Sequence, residues 1–507
     1  MGVVGRKEDY GDYGRLYDVI VAGGGTSGIP AAIAAARAGA KVLLIERTGC
    51  LGGQFSVSGP AGFCYAFLRN SRGQRDVGGF AWETYRKLFE TGHALPHYLP
   101  EVRANSGYTF AYVDPDWWTQ LVFDMMDEEN VDLLLDTLVV DAVMDGDTIK
   151  GVVVENADGR VEIRGKVVID CTGEAYLSAK AGVETVMLDE EGFPPHSLAF
   201  SVDGVDWDRF LMYVRHNPKQ FSWREIQNDS VGNTKERIRE FYANLTDIKQ
   251  VGEIVGFYEL RDAALENGDW HPHSGAGVFF TPKEGAHIVA HLQHSSQVSD
   301  CPPTSAWHIT HAIRECRRQN KIAWRFFKNY VPGFENSYIT KVATELRLRE
   351  GPRIVGDYTF RREDVIEARL HPDVIGKSNF IADSQHVASM DTLNVIKSGK
   401  TLEKWPHHHG SYDLPYRILV PQKVENLLAA GKHVSADSAV YLRYIQQTMV
   451  TGQAAGVAAA ICAKTGKTPR DLENDHEELQ KVLVEQGAIL YLQDPDTIEK
   501  VGHREED

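Results

Sequence analysis

Cysteine is scarce in this chain of 507 residues, with six thiols at positions 50, 64, 171, 301, 316 and 462. None forms a Cys-x-x-Cys pair and none has zinc-ligand spacing. This excludes a metal site built on cysteine and a redox dithiol close in sequence, so reduced thiols are expected. Long apolar runs are also missing. The nearest approach, Val450–Ala463, is interrupted by Thr451, Gly452 and Gln453, so no membrane span is expected. Met1–Leu16 is polar and carries Gly-Asp-Tyr-Gly turn residues rather than the apolar core of a secretion signal, so neither export nor a transit peptide is indicated and the expected compartment is the cytoplasm. Positive charge is in deficit. With 54 Lys and Arg against 71 Asp and Glu the net charge is −17, which repels nucleic-acid phosphates over most of the surface. A small acidic ligand at a local basic site remains compatible with that balance. Internal repeats and low-complexity segments are lacking, and the length suits two or three domains around a large core.

What is present begins at Tyr17. The run Tyr17–Glu46 spells a buried strand, a Gly-x-Gly-x-x-Gly turn at Gly23, Gly25 and Gly28, a helix from about Thr26 to Ala38, a second strand over Val42–Ile45, and a terminal acid. The three glycines have separate tasks: a tight turn, close approach of backbone to a pyrophosphate, and close packing of helix on sheet. The free N–H groups around Thr26 and Ser27 face the phosphates, Pro30 fits the first turn, and Gly39 can cap the helix end. Glu46 then lies where a carboxylate can take the ribose hydroxyls. The pattern predicts a dinucleotide-binding fold.

Three further blocks point to the kind of dinucleotide. Arg47-Thr48-Gly49-Cys50-Leu51-Gly52-Gly53, followed by Gln54, resembles the ERxGxLGG stretch of FAD-dependent oxidoreductases with the glutathione-reductase-type nucleotide fold. Val167–Gly173 ends a strand in Cys171-Thr172-Gly173, like the (A/C)TG turn that passes beside FAD in such proteins. Before it, Leu138–Ile169 reads as three strands joined by turns at Asp145-Gly146 and Asp158-Gly159, with Val139 and Val140 at the entry of the meander. Near the C-terminus come Leu427–Gly431 and then a helix carrying Gln447, Thr448, Gly452, Ala455 and Gly456. In the resembled family this helix aims its N-terminus at the pyrimidine edge of the flavin. The resemblance implies non-covalent FAD held by these residues. The implied fold class is α/β, a Rossmann-like FAD-binding domain with parallel sheet and β-meander, plus a discontinuous α+β cap. Expected boundaries are 16–60, 110–185 and 415–470 for the FAD domain, 61–109 and 186–414 for the cap, and 471–507 for a helical tail packed at an edge or against another subunit.

Asn329–Asn336, Arg349–Tyr358, Tyr412–Arg417 and Leu419–Pro421 narrow the resemblance to one broad group of FAD-dependent oxidoreductases, covering about residues 17–470. The chain departs from that group at Gly351-Pro352, where a hydroxyl residue and an arginine are usual, so a family substrate is not carried over. No second glycine-rich strand-turn-helix offers a separate nicotinamide domain. The GD and DG motifs and the halogenase tryptophan motif are missing as well, which takes weight from a monooxygenase.

Dehydrogenation needs a base near the substrate and often a cation for an anionic group. His407-His408-His409 lies where the cap rejoins the FAD domain, and His408 and His409 are the candidate bases, with a solvated loop as the plain alternative. Arg349 and Arg353 are the candidate anion clamps, set against a structural salt bridge with Glu350 or Asp357. Three adjacent histidines cannot all point one way, so no metal site is expected. His287, His291 and His294 suit a helix or a strand equally. His308 and His311 lie on a helix expected over Trp307–Tyr330, and His308 and Tyr412 are the next acid–base candidates. The expected activity is dehydrogenation of a small organic substrate by hydride transfer to flavin N5, in dehydrogenase or oxidase style with an unspecified electron acceptor. The alternatives are a flavin monooxygenase or reductase, and a protein-binding scaffold with structural FAD.

Overall fold

The computed structural model describes residues 13–58, 64–66, 68–70, 74–96, 110–187, 195–221, 235–271, 275–283, 287–292, 295–299, 301–380, 406, 410–437 and 442–492. Its centre is a seven-stranded sheet. Tyr17–Ala22 pairs in parallel with Val42–Ile45 on one side and with the end of Gly159–Asp170 on the other, and Asp132–Leu134 extends the sheet beyond Val42–Ile45. The strand Gly159–Asp170 belongs to two patterns at once. Its first half closes the antiparallel meander with Thr148–Asn156 and Leu138–Asp145, while its last residues pair in parallel with Tyr17–Ala22 and with Leu427–Ala429. Near-continuous apolar strands such as VLLI fit a parallel sheet covered on both faces.

The helix Gly28–Arg37 packs against Ile445–Thr465, which is buried from Gln446 to Cys462 and ends at Gly466 in the left-handed conformation. Gly452 and Gly456 set their spacing: a Cβ on either would overlap the carbonyl oxygen of Ser27 or of Ala31. Gly452 and Gly456 thus serve helix-on-helix packing.

A second, five-stranded antiparallel sheet runs in the order Glu253–Val255, Gly277–Pro282, Ile288–Leu292, Phe200–Asp203, Tyr338–Val342. It has its own core, crowded with Phe200, Phe210, Phe221, Phe257, Phe280, Phe326, Phe327 and Phe334. The long helix is Ala306–Tyr330, capped by Ser305. His291 falls in a strand, buried between the hydroxyls of Ser201 and Thr281, and burial holds its imidazole down at about 3.

Two stretches expected in the cap pack against the first sheet. Helix Gly79–Glu90 buries Phe80, Ala81, Tyr85 and Leu88 in the core of the first sheet, and Ile375 and Leu414 of the hairpin Val374–Ser378 with Tyr412–Pro415 join the same core. These stretches therefore pack with the nucleotide fold, because their apolar faces are needed to cover Ile445–Thr465. The tail does likewise through Leu472, Leu479 and Leu483. Among the described residues no helix is long and apolar enough to cross a membrane, and Cys50, Cys171, Cys301, Cys316 and Cys462 are free thiols.

Candidate functional site

Four loops converge at the C-terminal ends of the parallel strands, the usual place for a ligand in an open α/β sheet. In the first, Gly23 has φ +110°, and a Cβ there would lie 2.5 Å from the carbonyl oxygen of Cys171. A Cβ on Gly28 would overlap the oxygen of Gly23. These two glycines are therefore required by the fold itself. Gly25 differs, since its absent side chain points into open space.

The second loop is bound to the first by Gly52, whose N–H donates to the Gly24 carbonyl at 2.8 Å. A Cβ on Gly53 would come 3.1 Å from the Cα of Gly25, so the two loops touch there through backbone. Glu46 is nearly buried and organises both loops. It accepts from the Gly24 N–H at 2.7 Å and from the N–H and hydroxyl of Thr48 at 2.9 Å. Arg47 turns away to pair with Glu345. Thr26 and Thr448 share a hydrogen bond of 2.7 Å, which joins the starts of the two helices. Two helix N-termini thus meet at one point, and their dipoles favour an anion there.

The third loop follows Asp170, a fully buried carboxylate. Its Oδ1 accepts from the N–H and hydroxyl of Thr172, and its Oδ2 from the N–H and hydroxyl of Ser178, at 2.7–2.9 Å. Burial works to raise this carboxyl. His433 and these hydrogen bonds outweigh it, so Asp170 is held well below the usual range. The Cys171-Thr172-Gly173 turn is locked as a result, and burial pushes the Cys171 thiol up, out of reach of thiolate chemistry. The fourth loop begins at Gly431, whose N–H donates to Thr451 Oγ1 at 3.2 Å, and continues to Lys432, paired with Glu174 at 2.7 Å.

At the meander, Val139 packs in the core with Leu43 and Ile45, away from the loops. Val140 is the extra residue of a bulge, between the pairs Val139–Val154 and Asp141–Val153. The segment reaches the site through backbone, Glu46 N–H to Leu134 and Thr137 N–H to Glu46. Gly452, expected at the cofactor, is filled in by Ser27 and positions the helix instead.

Over the loops lies a strap, residues 344–351. Thr344 N–H donates to the Val57 carbonyl at 3.2 Å, Gln54 Nε2 donates to the Leu348 carbonyl at 2.8 Å, and Arg443 donates to the Arg349 carbonyl at 3.0 Å. The strap also carries the Arg349 N–H to His196 Nδ1 at 3.2 Å, while His196 Nε2 bonds the Cys301 carbonyl at 2.8 Å. Both ring nitrogens are thus used by a neutral imidazole. Burial first, and then the charges of Lys432, Arg349 and Arg443, bring its pKa down to about 4. Nothing in the sequence marked His196, which stands alone in an ordinary stretch.

The expected catalytic residues fare unequally. The fork of Arg353 is engaged by Glu350, at 2.8–3.1 Å, and by the carbonyls of Ala436 and Asp437, the arrangement of the salt-bridge alternative. Arg349 remains at the site, half-buried, with Ser197 Oγ at 3.4 Å. His408 and His409, with His407, lie outside the described residues. His308 is exposed on its helix, away from a pocket role, and Tyr412 is buried with its hydroxyl accepting from Gln447 Nε2 at 3.3 Å. Cys50 sits 3.8 Å from Ser56 Oγ, beside the pyrophosphate loop. A mass spectrum of the denatured chain should show the bare polypeptide mass. An added FAD mass would establish a covalent bond.

Comparison with known proteins adds an independent line. The family model described as FAD dependent oxidoreductase matches residues 18–483. A curated relative, digeranylgeranylglycerophospholipid reductase 2 of Methanothermobacter thermautotrophicus, is 29% identical over 216 residues, 41% of this chain and 53% of its own length. The chain thus matches about half the length of that relative. Similar solved structures include a geranylgeranyl bacteriochlorophyll reductase-like protein from Thermoplasma acidophilum, at 14% identity and TM-score 0.43, covering 92% of this chain and 82% of that one. Another is p-nitrophenol 4-monooxygenase from Pseudomonas putida, at 11% identity and TM-score 0.42, covering 92% and 85%.

Proposed function

This chain belongs to the FAD-dependent oxidoreductase family, and from that premise we propose that it dehydrogenates a small anionic organic substrate held under the strap. Bound FAD would supply the chemistry as hydride acceptor at N5, and the proton lost with the hydride would pass to a base, for which His408 and His409 are the candidates. The open space beside Gly25 and the two helix N-termini suit the pyrophosphate, with Glu46, Thr26, Ser27, Gly52, Gln54, Thr172, Gly173, Gly431, Gln447 and Thr448 around it. The observation that carries the substrate reading is the strap itself. Anchored on Gln54 and Arg443, it brings Arg349 over the cofactor loops beside Lys432 and Arg443, a local excess of positive charge in a chain of net charge −17. Arg349 would hold a carboxylate in its planar fork. His196, kept neutral, positions the Arg349 backbone and takes no proton itself.

A reductase working in the opposite direction is the second reading, favoured by the name of the archaeal relative. Anaerobic absorbance with a panel of acids, alcohols, amines and sugars separates the two. The proposal expects an acid to bleach the flavin, and bleaching by reduced nicotinamide alone would overturn it. Arg349→Lys keeps the charge and loses the fork, so flavin reduction by that acid should slow by about 10-fold or more, the effect of about 1.4 kcal/mol in the transition state. An unchanged rate in stopped flow would remove Arg349 from the site.

A further inference from the structure

A second buried acid lies at the other end of the flavin helix's first turn. Asp76 has no exposed surface, and its carboxylate is held by neutral donors alone: Asn379 Nδ2 donates to both oxygens, at 2.9 and 2.8 Å, and Ser411 Oγ donates to Oδ2 at 2.6 Å. Asn379 follows Ser378, and Ser411 precedes Tyr412, its partner across the hairpin. Ser378 Oγ and the Tyr412 hydroxyl both accept from Gln447 Nε2, at 2.9 and 3.3 Å, and Gln447 Oε1 accepts from the Tyr444 N–H, closing the first turn of Ile445–Thr465. Asn70 Nδ2 completes the group by donating to Ser411 Oγ at 3.1 Å.

We propose that Asp76 is a positioning residue of the cofactor site, an acid whose ionised form aligns the two strand ends that hold Gln447, so that FAD retention depends on its protonation. The reason is donor and acceptor accounting. The ionised carboxylate accepts every hydrogen bond offered to it. Once protonated it must donate: Asn379 Nδ2 cannot accept, and Ser411 Oγ can accept only by turning its own hydrogen away from Asp76, so at least one of the present bonds is lost and the strand ends loosen. Burial pushes the carboxyl up to about 6, although Ser411 and Asn379 pull the other way. Among the described residues, the other charged or titratable groups facing it are Lys377, which is ion-paired with Asp413, together with Arg69 and Tyr412. His371 contacts that ion pair through its N–H to Asp413.

The test is FAD affinity of the apoprotein, read by quenching of flavin fluorescence from pH 5 to pH 8. For the wild type the dissociation constant should rise by about 10-fold as pH falls from 7 to 5, within the limit of one decade per pH unit set by one proton. Asp76→Asn should bind weakly at every pH, with a flat profile. Ser411→Ala removes one bond to the carboxylate, so its midpoint should move to higher pH. That second variant decides the matter if the first does not fold. Wild-type affinity and midpoint in Ser411→Ala, or a wild-type profile in Asp76→Asn, would overturn the role of Asp76. Failure of the wild-type apoprotein to take up FAD at any pH would instead overturn the placement of the cofactor beside Gln447.

Discussion

Gly25→Val should yield a folded protein without colour. The position is not in the left-handed region, and a Cβ built there meets no atom of the chain, so the fold has no reason to reject a side chain. The space it would fill is the opening beside Gly25, where the pyrophosphate is proposed to lie. A branched side chain there should cost at least about 100-fold in FAD affinity, or about 2.7 kcal/mol. Gly28→Val gives the contrast, because its side chain would strike the Gly23 carbonyl and disturb the fold before any ligand arrives. The measurement is FAD content after gel filtration beside the far-ultraviolet circular dichroism of each variant. A yellow Gly25→Val protein with full FAD would sink the assignment of the opening beside Gly25 to the pyrophosphate.

This pair shows what the sequence made legible. The strand, turn and helix around Gly23, Gly25 and Gly28, the meander and the C-terminal helix are local patterns. Their periodicity and glycine spacing carry the information within a few dozen residues. The structure adds the contacts behind each role: a Cβ on Gly28 or Gly452 would strike backbone, while Gly25 faces open space. Residues brought together over long range were illegible. Asp76 meets Asn379 and Ser411 from more than 300 positions away, and its place before Val77-Gly78-Gly79 carries no motif. His196 and Lys432 escaped notice for the same reason. Within the segment 61–109 the amphipathic helix Gly79–Glu90 has an apolar face that either core could have taken, and its sequence does not say which. Arg353 was ambiguous in another way, because an arginine three residues from a glutamate suits a clamp and a salt bridge equally until burial is known.

Burial settles that ambiguity and gives the second large effect. Arg353 and Glu350 are both almost wholly buried, joined by hydrogen bonds of 2.8–3.1 Å, and the remaining guanidinium nitrogen serves the carbonyls of Ala436 and Asp437. Arg353→Leu leaves the Glu350 carboxylate in the interior with its main partner gone, so the protein should lose about 3–5 kcal/mol of stability. Glu350→Leu strands the guanidinium in the same way. The double variant removes both charges and should be much less destabilised than the sum of the two, since two well-packed apolar side chains can replace a buried ion pair at little net cost. Arg353→Lys keeps the charge but cannot reach Glu350 and both carbonyls together, and should fall between. Because the Ile354 N–H donates to the His433 carbonyl at 3.0 Å, loosening this strand also disturbs the Gly431–His433 turn, and FAD retention should decline with stability. Urea midpoints of the four variants, with FAD content alongside, test the set. If Arg353→Lys kept wild-type stability and FAD while flavin reduction alone slowed, Arg353 would be acting on the substrate and the salt-bridge account would fail.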